Sequence, residues 1–190
     1  GILDYARLPK TAITYFEHAA HFFATHHRTM EEARVMIGGA YIYSLLGQYE
    51  KAQQTLLHIA EVMQDMPDYR DWPMIYLNLS FNAQYLGQYE SMMNWAQLAE
   101  QHARHLQQLT RIAQALTNQA WAARCLFNFP LCAEKLTEAD SLPEIPPELK
   151  GHISIIRLKM LIYQNNLLEV LHESQRAYQY FTAANNQIDL

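Results

Sequence analysis

A five-residue segment constrains this chain more than any other feature. Residues 46–50 read Leu-Gly-Gln-Tyr-Glu, and residues 86–90 repeat them without a change, so that Tyr49 and Tyr89 are related by an offset of 40 in the numbering. Recurrence of five identical residues at a fixed offset of this size indicates an architecture of stacked repeats. The offset therefore predicts that other residues separated by the same interval occupy equivalent places.

Small and apolar residues fall into columns at this offset. Going backwards, Ala12, Phe16 and Ala19 enter the same columns, and the last unit fits with a shift of two residues. The columns are Tyr49, Tyr89 and Phe129; Ala52, Met92 and Cys132; Leu56, Ala96 and Leu136; Ile59, Ala99 and Ala139; and, shifted, Leu167, Val170, Ser174 and Ala177. The repeat therefore extends over nearly the whole chain.

The hydrophobic pattern predicts an all-α protein of about nine helices, because apolar residues recur at helical spacing and no useful length alternates as a strand would. Thr29 with Glu32 predicts a capping box, and Asp71 a second cap. The third helix is expected to end near Met66. Gly47 and its equivalent in the second unit are expected to take a positive φ at a helix end.

The first complete unit carries a small residue, then Leu-Gly, then Tyr, then another small residue and a bulky one, at Ala40, Gly47, Tyr49, Ala52 and Leu56, and the second complete unit keeps the Leu-Gly and the Tyr. This pattern resembles the tetratricopeptide repeat. The resemblance implies a right-handed α-solenoid of antiparallel helix pairs, in which each unit contacts its neighbours. The period in this chain exceeds the roughly 34 residues usual for that family, which predicts longer helices or longer loops.

We interpret residues 1–190 as a single helical-repeat domain that is a piece of a longer protein. Its predicted parts are an orphan second helix at 10–27 and four repeats at 29–68, 71–108, 110–142 and 147–185. The last helix adds Leu168, Leu171, Tyr178 and Phe181 to its repeat residues. An apolar end of this kind predicts packing on further parts of the protein or self-association.

The first helices of such pairs line the concave face, and the resemblance implies that a protein or peptide ligand binds there. Tyr41, Phe81 and Trp121 form one aromatic column on these helices, although each is also explained by packing between units. The predicted partner-binding residues are Arg34, Tyr41, Asn78, Phe81, Gln84, Tyr85, Asn118, Trp121, Arg124, Lys159 and Tyr163, with Leu45 and His152 beside them.

Two functional classes stay open under this resemblance. One is a scaffold or protein-interaction module. The other is an effector-sensing domain, since units with this longer period resemble the helical-repeat regions of bacterial MalT-like (LuxR-type) transcription regulators. The carboxylate clamp of some tetratricopeptide-repeat adaptors is expected to be absent, because Ile37 and Leu77 stand where basic residues are needed.

Other chemistry finds little support in the sequence. A net charge of −5 disfavours direct binding of nucleic acid, and no apolar run is long enough for a membrane span. Phosphate-binding and catalytic motifs are absent, so we expect no cofactor and no enzyme activity. Glu100 and Arg104 are interpreted as a solvated helical pair.

Histidines and cysteines offer the remaining candidates for reactive or metal-binding groups. The pairs His18–His21 and His102–His105 have helical spacing but lack a third ligand, which favours polar surface over a metal site. A metal bound at either pair would be needed to revive an enzymatic function. Cys125 and Cys132 are too few for a disulfide framework, and we interpret them as reduced, buried thiols of a cytoplasmic protein.

Overall fold

The computed structural model describes residues 9–186, and these residues form nine α-helices and no strand. The all-α prediction is therefore confirmed. The helices are α1 (Pro9–Thr25), α2 (Thr29–Leu45), α3 (Tyr49–Val62), α4 (Trp72–Tyr85), α5 (Tyr89–His105), α6 (Leu109–Cys125), α7 (Phe129–Ser141), α8 (Pro147–Tyr163) and α9 (Leu167–Asn186). The predicted end of α3 at Met66 was wrong, because the helix stops at Val62.

The long repeat period arises from long helices between Tyr89 and Phe129, and from the long connection 63–71 between Tyr49 and Tyr89, where α3 and α4 have 14 residues each. Helices α1, α2, α5 and α6 each have 17 residues, and three-residue turns join each of them to the helix that follows. A tetratricopeptide-like unit of about 34 residues leaves less room for each helix. Longer connections occur only at 63–71 and 142–146 among the described residues, where α3 and α7 end early.

Left-handed residues end several of the helices. Gly47 and Gly87 have φ of 72° and 70°, which confirms the prediction for both. The equivalent position in the next repeat is Phe127, with φ of 59°. The turns after α1 and α5 use His27 and Gln107 in the same left-handed conformation. A side chain in this conformation costs roughly 1–2 kcal/mol, so Phe127 is held there by its surroundings.

The two predicted helix caps were wrong. Thr29 is already the first helical residue of α2, and Arg28 occupies the cap position without a side-chain cap hydrogen bond. Asp71 likewise makes no cap bond, because its carboxylate binds Arg34 instead. Asn128 is a working cap, whose side chain accepts a hydrogen bond from the Leu131 amide at 3.2 Å.

The chain divides into two compact units, with the division inside α5 between Trp95 and Ala96. In the first unit, α1 packs on α2, α2 on α3 and α3 on α4. In the second unit, α6 packs on α7 and α8, α7 on α8, and α8 on α9. Consecutive helices therefore pair within each unit, as the repeat predicts.

The repeat columns form the core of each unit. Nine residues of the columns that begin at Ala52, Leu56 and Ile59 are at most 1% exposed. These residues are Ala52, Leu56, Ile59 and Met92 in the first unit, and Ala96, Ala99, Cys132, Leu136 and Ala139 in the second. The neighbouring helices pack directly onto these columns. Of the shifted positions predicted for the last repeat only Ala177 is buried, and Leu167 is 67% exposed, so the prediction for α9 was wrong at most of its positions.

Two expectations about surface residues need correction. Glu100 is not simply a solvated partner of Arg104, because it also accepts a hydrogen bond of 2.6 Å from the buried Gln119, and Arg104 reaches on to Glu138. On α9, Phe181 packs on α8, where its ring fills the space beside Gly151. Leu168, Leu171 and Tyr178 on the same helix are exposed.

No helix within residues 9–186 combines the length and the apolar character that crossing a membrane requires.

Candidate functional site on the first helices

Each compact unit has its own candidate surface, formed by the outward residues of α2 and α4 in the first unit and of α6 and α8 in the second, and we call each of them a first-helix surface. On three of these helices a buried small residue directly precedes a large aromatic one: Ala40 before Tyr41, Ser80 before Phe81, and Ala120 before Trp121. A step of one residue turns the side chain by about 100° around a helix. The small residue therefore faces the core while the aromatic ring stays partly or largely exposed.

None of the predicted partner-binding residues is buried. The first unit holds Arg34, Tyr41, Asn78, Phe81, Gln84 and Tyr85. The second unit holds Asn118, Trp121, Arg124, Lys159 and Tyr163. Each unit thus presents its own first-helix surface.

In the first unit the rings are organised around Tyr85. Its ring centroid lies 4.8 Å from that of Phe81 and 4.7 Å from that of Tyr49, and the Tyr49 and Tyr85 rings are nearly parallel. Tyr41 is 50% exposed and Phe81 is 36% exposed. Offset and stacked rings at these separations attract one another, so the rings of Tyr49, Phe81 and Tyr85 form a rigid platform.

Polar contacts join α2 to α4, the helix that carries Phe81 and Tyr85 of this platform. The buried Ser44 hydroxyl on α2 lies 2.7 Å from Asn82 Oδ1 on α4, and the Asn82 amide donates to the Asn78 carbonyl at 2.9 Å. Buried polar groups of this kind hold one arrangement, because leaving either unpaired costs roughly 1–3 kcal/mol. The sequence showed small residues here without indicating that α2 and α4 share a hydrogen bond.

Arg34 was expected to contact a partner. In the structure its Nε donates to Asp71 Oδ2 at 3.2 Å, in an ion pair whose Arg34 side chain is largely exposed. The pair ties α2 to the residue preceding α4. Solvent screens exposed ion pairs so that they contribute little, and Arg34 stays accessible to a competing carboxylate.

In the second unit the structure joins three of the predicted residues into one group, which we call the Trp121 cluster. The Arg124 guanidinium carbon lies 5.0 Å from the centroid of the Trp121 ring, and Lys159 Nζ lies 4.3 Å from it. Both distances are within the range of cation–π attraction. With the two-residue shift of the last repeat, Lys159 occupies the place that Trp121 holds one repeat earlier.

The cations of the Trp121 cluster have few polar partners. Arg124 donates through one terminal nitrogen to Cys125 Sγ at 3.3 Å, while its Nε is buried and has no hydrogen-bond partner among residues 9–186. Neither Arg124 nor Lys159 forms an ion pair with a carboxylate in the part of the chain that the structure describes. Their placement on the ring is therefore their main fixed contact.

Tyr163 belongs to a different group. Its ring lies 6.1 Å from those of Phe127 and Phe129, and Phe127 is 68% exposed. The contact of Phe129 with Tyr163 occupies the same repeat positions as that of Tyr49 with Tyr85. The sequence did not lead us to predict a role for Phe127. The signal that could have indicated one is its position at the left-handed turn, where the earlier repeats have a glycine.

The two cysteines differ in their surroundings. Cys125 is half-buried and accepts a hydrogen bond from Arg124, whereas Cys132 is fully buried. Burial raises the pKa of the Cys132 thiol to about 11, and the nearby Arg124 and Arg157 only partly oppose this effect. The thiolate is the reactive form, so Cys132 is expected to be inert near neutral pH.

A thiol-labelling experiment tests this difference. At pH 8 a thiol with a pKa of about 11 is ionised to roughly one part in a thousand, so the native protein should release about one rapid equivalent from Ellman's reagent. Cys125→Ser should abolish the rapid phase and Cys132→Ser should retain it. Equal rates for both thiols in the native protein would contradict the burial of Cys132.

Metal and small-ligand sites are the remaining candidates in the described part of the chain. Within the described residues no group of three His, Cys, Asp or Glu side chains is arranged to hold a metal ion. Burial, and then the neighbouring His105, lower the pKa of His102. A cleft between α2 and α3, lined in part by Met36 and His58, has a volume of about 50 Å³, well below the roughly 300 Å³ at which ligand pockets begin.

No protein-family model matches this chain, and no curated protein matches it.

Proposed function

We propose that this chain is a cytoplasmic protein-interaction module, in which the first-helix surface of each compact unit binds an extended segment of a partner protein. The observation that carries the proposal is the register of three aromatic rings. Tyr41, Phe81 and Trp121 each follow a buried small residue, and none of the three is itself buried. Large rings that stay at least partly exposed at one repeat register are available for a ligand.

The chemistry of the neighbouring residues supports the same proposal. Rings give a large contact area at low entropic cost, and amides can satisfy the backbone groups of an extended segment. Asn78, Gln84 and Asn118 are partly exposed beside the rings. The resemblance to tetratricopeptide repeats, which implies a peptide-binding module, agrees with this function, and the exposed side chains of α9 would remain for a neighbouring molecule.

Selection of peptides from a random library on the immobilised protein tests the proposal. Peptides recovered in this way should bind Trp121→Ala or Phe81→Ala at least about thirtyfold more weakly, because aromatic anchors at interfaces typically contribute about 2 kcal/mol or more. Fluorescence anisotropy measures the affinities. Circular dichroism should show unchanged helix content in both variants.

Tyr178→Ala is the matched control, since Tyr178 is an exposed aromatic residue on a second helix. It should leave the affinity of the selected peptides unchanged. A library that yields no binding peptide, or peptides that bind both variants as tightly as the original protein, would overturn the proposal. Peptides that lose affinity only in the Tyr178 variant would place the binding surface on α9 instead.

A further inference from the structure

The Trp121 cluster places two positive charges on one ring and gives them no negative partner among the described residues. Both cationic groups lie within 5.0 Å of the Trp121 ring centroid. Cation–π attraction holds each of them on the ring, but it neutralises no charge. Both positive charges are therefore left without a carboxylate to compensate them among the described residues.

Three arginines of the second unit are arranged differently. Arg104 binds Glu100 and Glu138, while Arg157 and Arg176 share two carboxylates. The chain has 19 acidic and 14 basic residues, so carboxylates are in excess. Arg124 and Lys159 are nevertheless left without one in the described part of the chain, on the surface already proposed to bind a ligand.

Donors remain for an anion at this point. Lys159 carries three N–H donors, and Arg124 uses one of its terminal nitrogens for Cys125. Contact with the ring limits the movement of both side chains, which lowers the entropic cost of binding a ligand beside the ring. A carboxylate placed there would accept charge-assisted hydrogen bonds, each stronger than a neutral one.

We propose that the Trp121 cluster binds a side-chain carboxylate, so that the partner segment carries Asp or Glu at the position opposite Trp121. The inference rests on the proposed function and specifies the chemistry of its ligand. Asp and Glu are the anionic side chains that an unmodified protein segment carries, so the ligand is assigned as a carboxylate. The site also differs from a terminal-carboxylate clamp, whose basic positions are occupied here by Ile37 and Leu77.

Short fluorescent peptides with blocked termini test the inference on the full chain. One peptide alternates Gly with Glu, a second has Gln in place of every Glu, and a third has a phosphoserine in place of one Glu. The Glu peptide should bind at least about tenfold more tightly than the Gln peptide, with an affinity that falls as salt is raised. The net charge of −5 disfavours unspecific binding of any acidic peptide.

Three charge-removing variants separate the site from general electrostatics. Lys159→Gln should weaken binding of the Glu peptide about tenfold, and Arg124→Gln should have a similar effect. Lys150→Gln removes the same charge from the helix that carries Lys159, at a place where Lys150 lies 5.9 Å from the Tyr180 ring centroid. This matched control should bind the Glu peptide as tightly as the original protein.

Each contrary result has a distinct meaning. Equal losses in the Lys150 and Lys159 variants, or equal binding of the Glu and Gln peptides, would overturn the carboxylate site. Tighter binding of the phosphoserine peptide would assign the cluster to phosphate instead. If library peptides bind through Trp121 while the Glu peptide does not bind, the inference fails and the proposed function stands; a library without binders overturns the function itself.

Discussion

Replacing Glu173 with Ala is expected to lower the free energy of unfolding by about 3 kcal/mol, the lower end of the range for breaking a buried ion pair, because one carboxylate then remains for two arginines. Glu173 is only 3% exposed. Its two carboxylate oxygens accept hydrogen bonds of 3.2 Å from Arg157 on α8 and from Arg176 on α9. The variant should therefore loosen the contact between α8 and α9.

The network also reaches α7, where Asp140 is the carboxylate that remains for both arginines when Glu173 is removed. Asp140 Oδ2 lies 3.3 Å from Arg157 and 3.6 Å from Arg176, so two carboxylates and two guanidinium groups alternate across three helices. Removing one buried charge from such a group exposes the others to repulsion and incomplete hydrogen bonding. None of these four residues belongs to the repeat columns.

Urea denaturation followed by circular dichroism measures the loss. Glu169→Ala is the matched control, since it removes the same charge one turn earlier on α9 at an exposed position. Its cost should stay below about 1 kcal/mol, the range of a helix-dipole interaction in the first turn. Equal destabilisation by the two substitutions would show that the buried network adds nothing to the stability of the second unit.

Replacing Trp72 with Ala is expected to cost the first unit about 3–5 kcal/mol, as deletion of a buried Trp usually does. The ring is buried, lies nearly parallel to that of Tyr76 at 5.4 Å and meets the edge of Tyr69 at 6.4 Å. Its Nε1 donates to the Met66 carbonyl at 2.8 Å. Trp72 therefore holds the connection between α3 and α4 against the core.

Trp72→Phe separates the two contributions. It retains most of the apolar burial and loses the hydrogen bond to Met66, so its cost should be only about 1–2 kcal/mol. Urea denaturation measures both variants, and near-ultraviolet circular dichroism reports on the stacked rings. A Phe variant as unstable as the Ala variant would contradict the assignment of most of the energy to ring burial.

Local sequence signals predicted the elements of this fold well. The columns through Ala52, Leu56 and Ile59 were expected to be packed, and all three are buried. Gly47 and Gly87 were expected at left-handed turns and are found there. Signals of this kind act within one or two helical turns, where the backbone and the nearest apolar residues decide the outcome.

Predictions that depended on the choice between partners were less successful. Asp71 has the right type and position for a cap, but Arg34, which is 37 residues away in the chain, takes its carboxylate. Glu100 was assigned to Arg104 alone, and Gln119 also binds it. Several partners compete for one polar group at similar free energy, and chain distance does not indicate which of them comes near.

The sequence by itself therefore determined the helices, their period and the residues that pack between them, because apolar spacing along a helix directly selects its buried side. It also placed Tyr41, Phe81 and Trp121 at one repeat register. Tertiary structure alone decided that Lys159 would lie on the Trp121 ring and that Glu173 would join Arg157 and Arg176. These contacts depend on how α6, α7, α8 and α9 pack, since side chains from separate helices meet only after packing has fixed their distances.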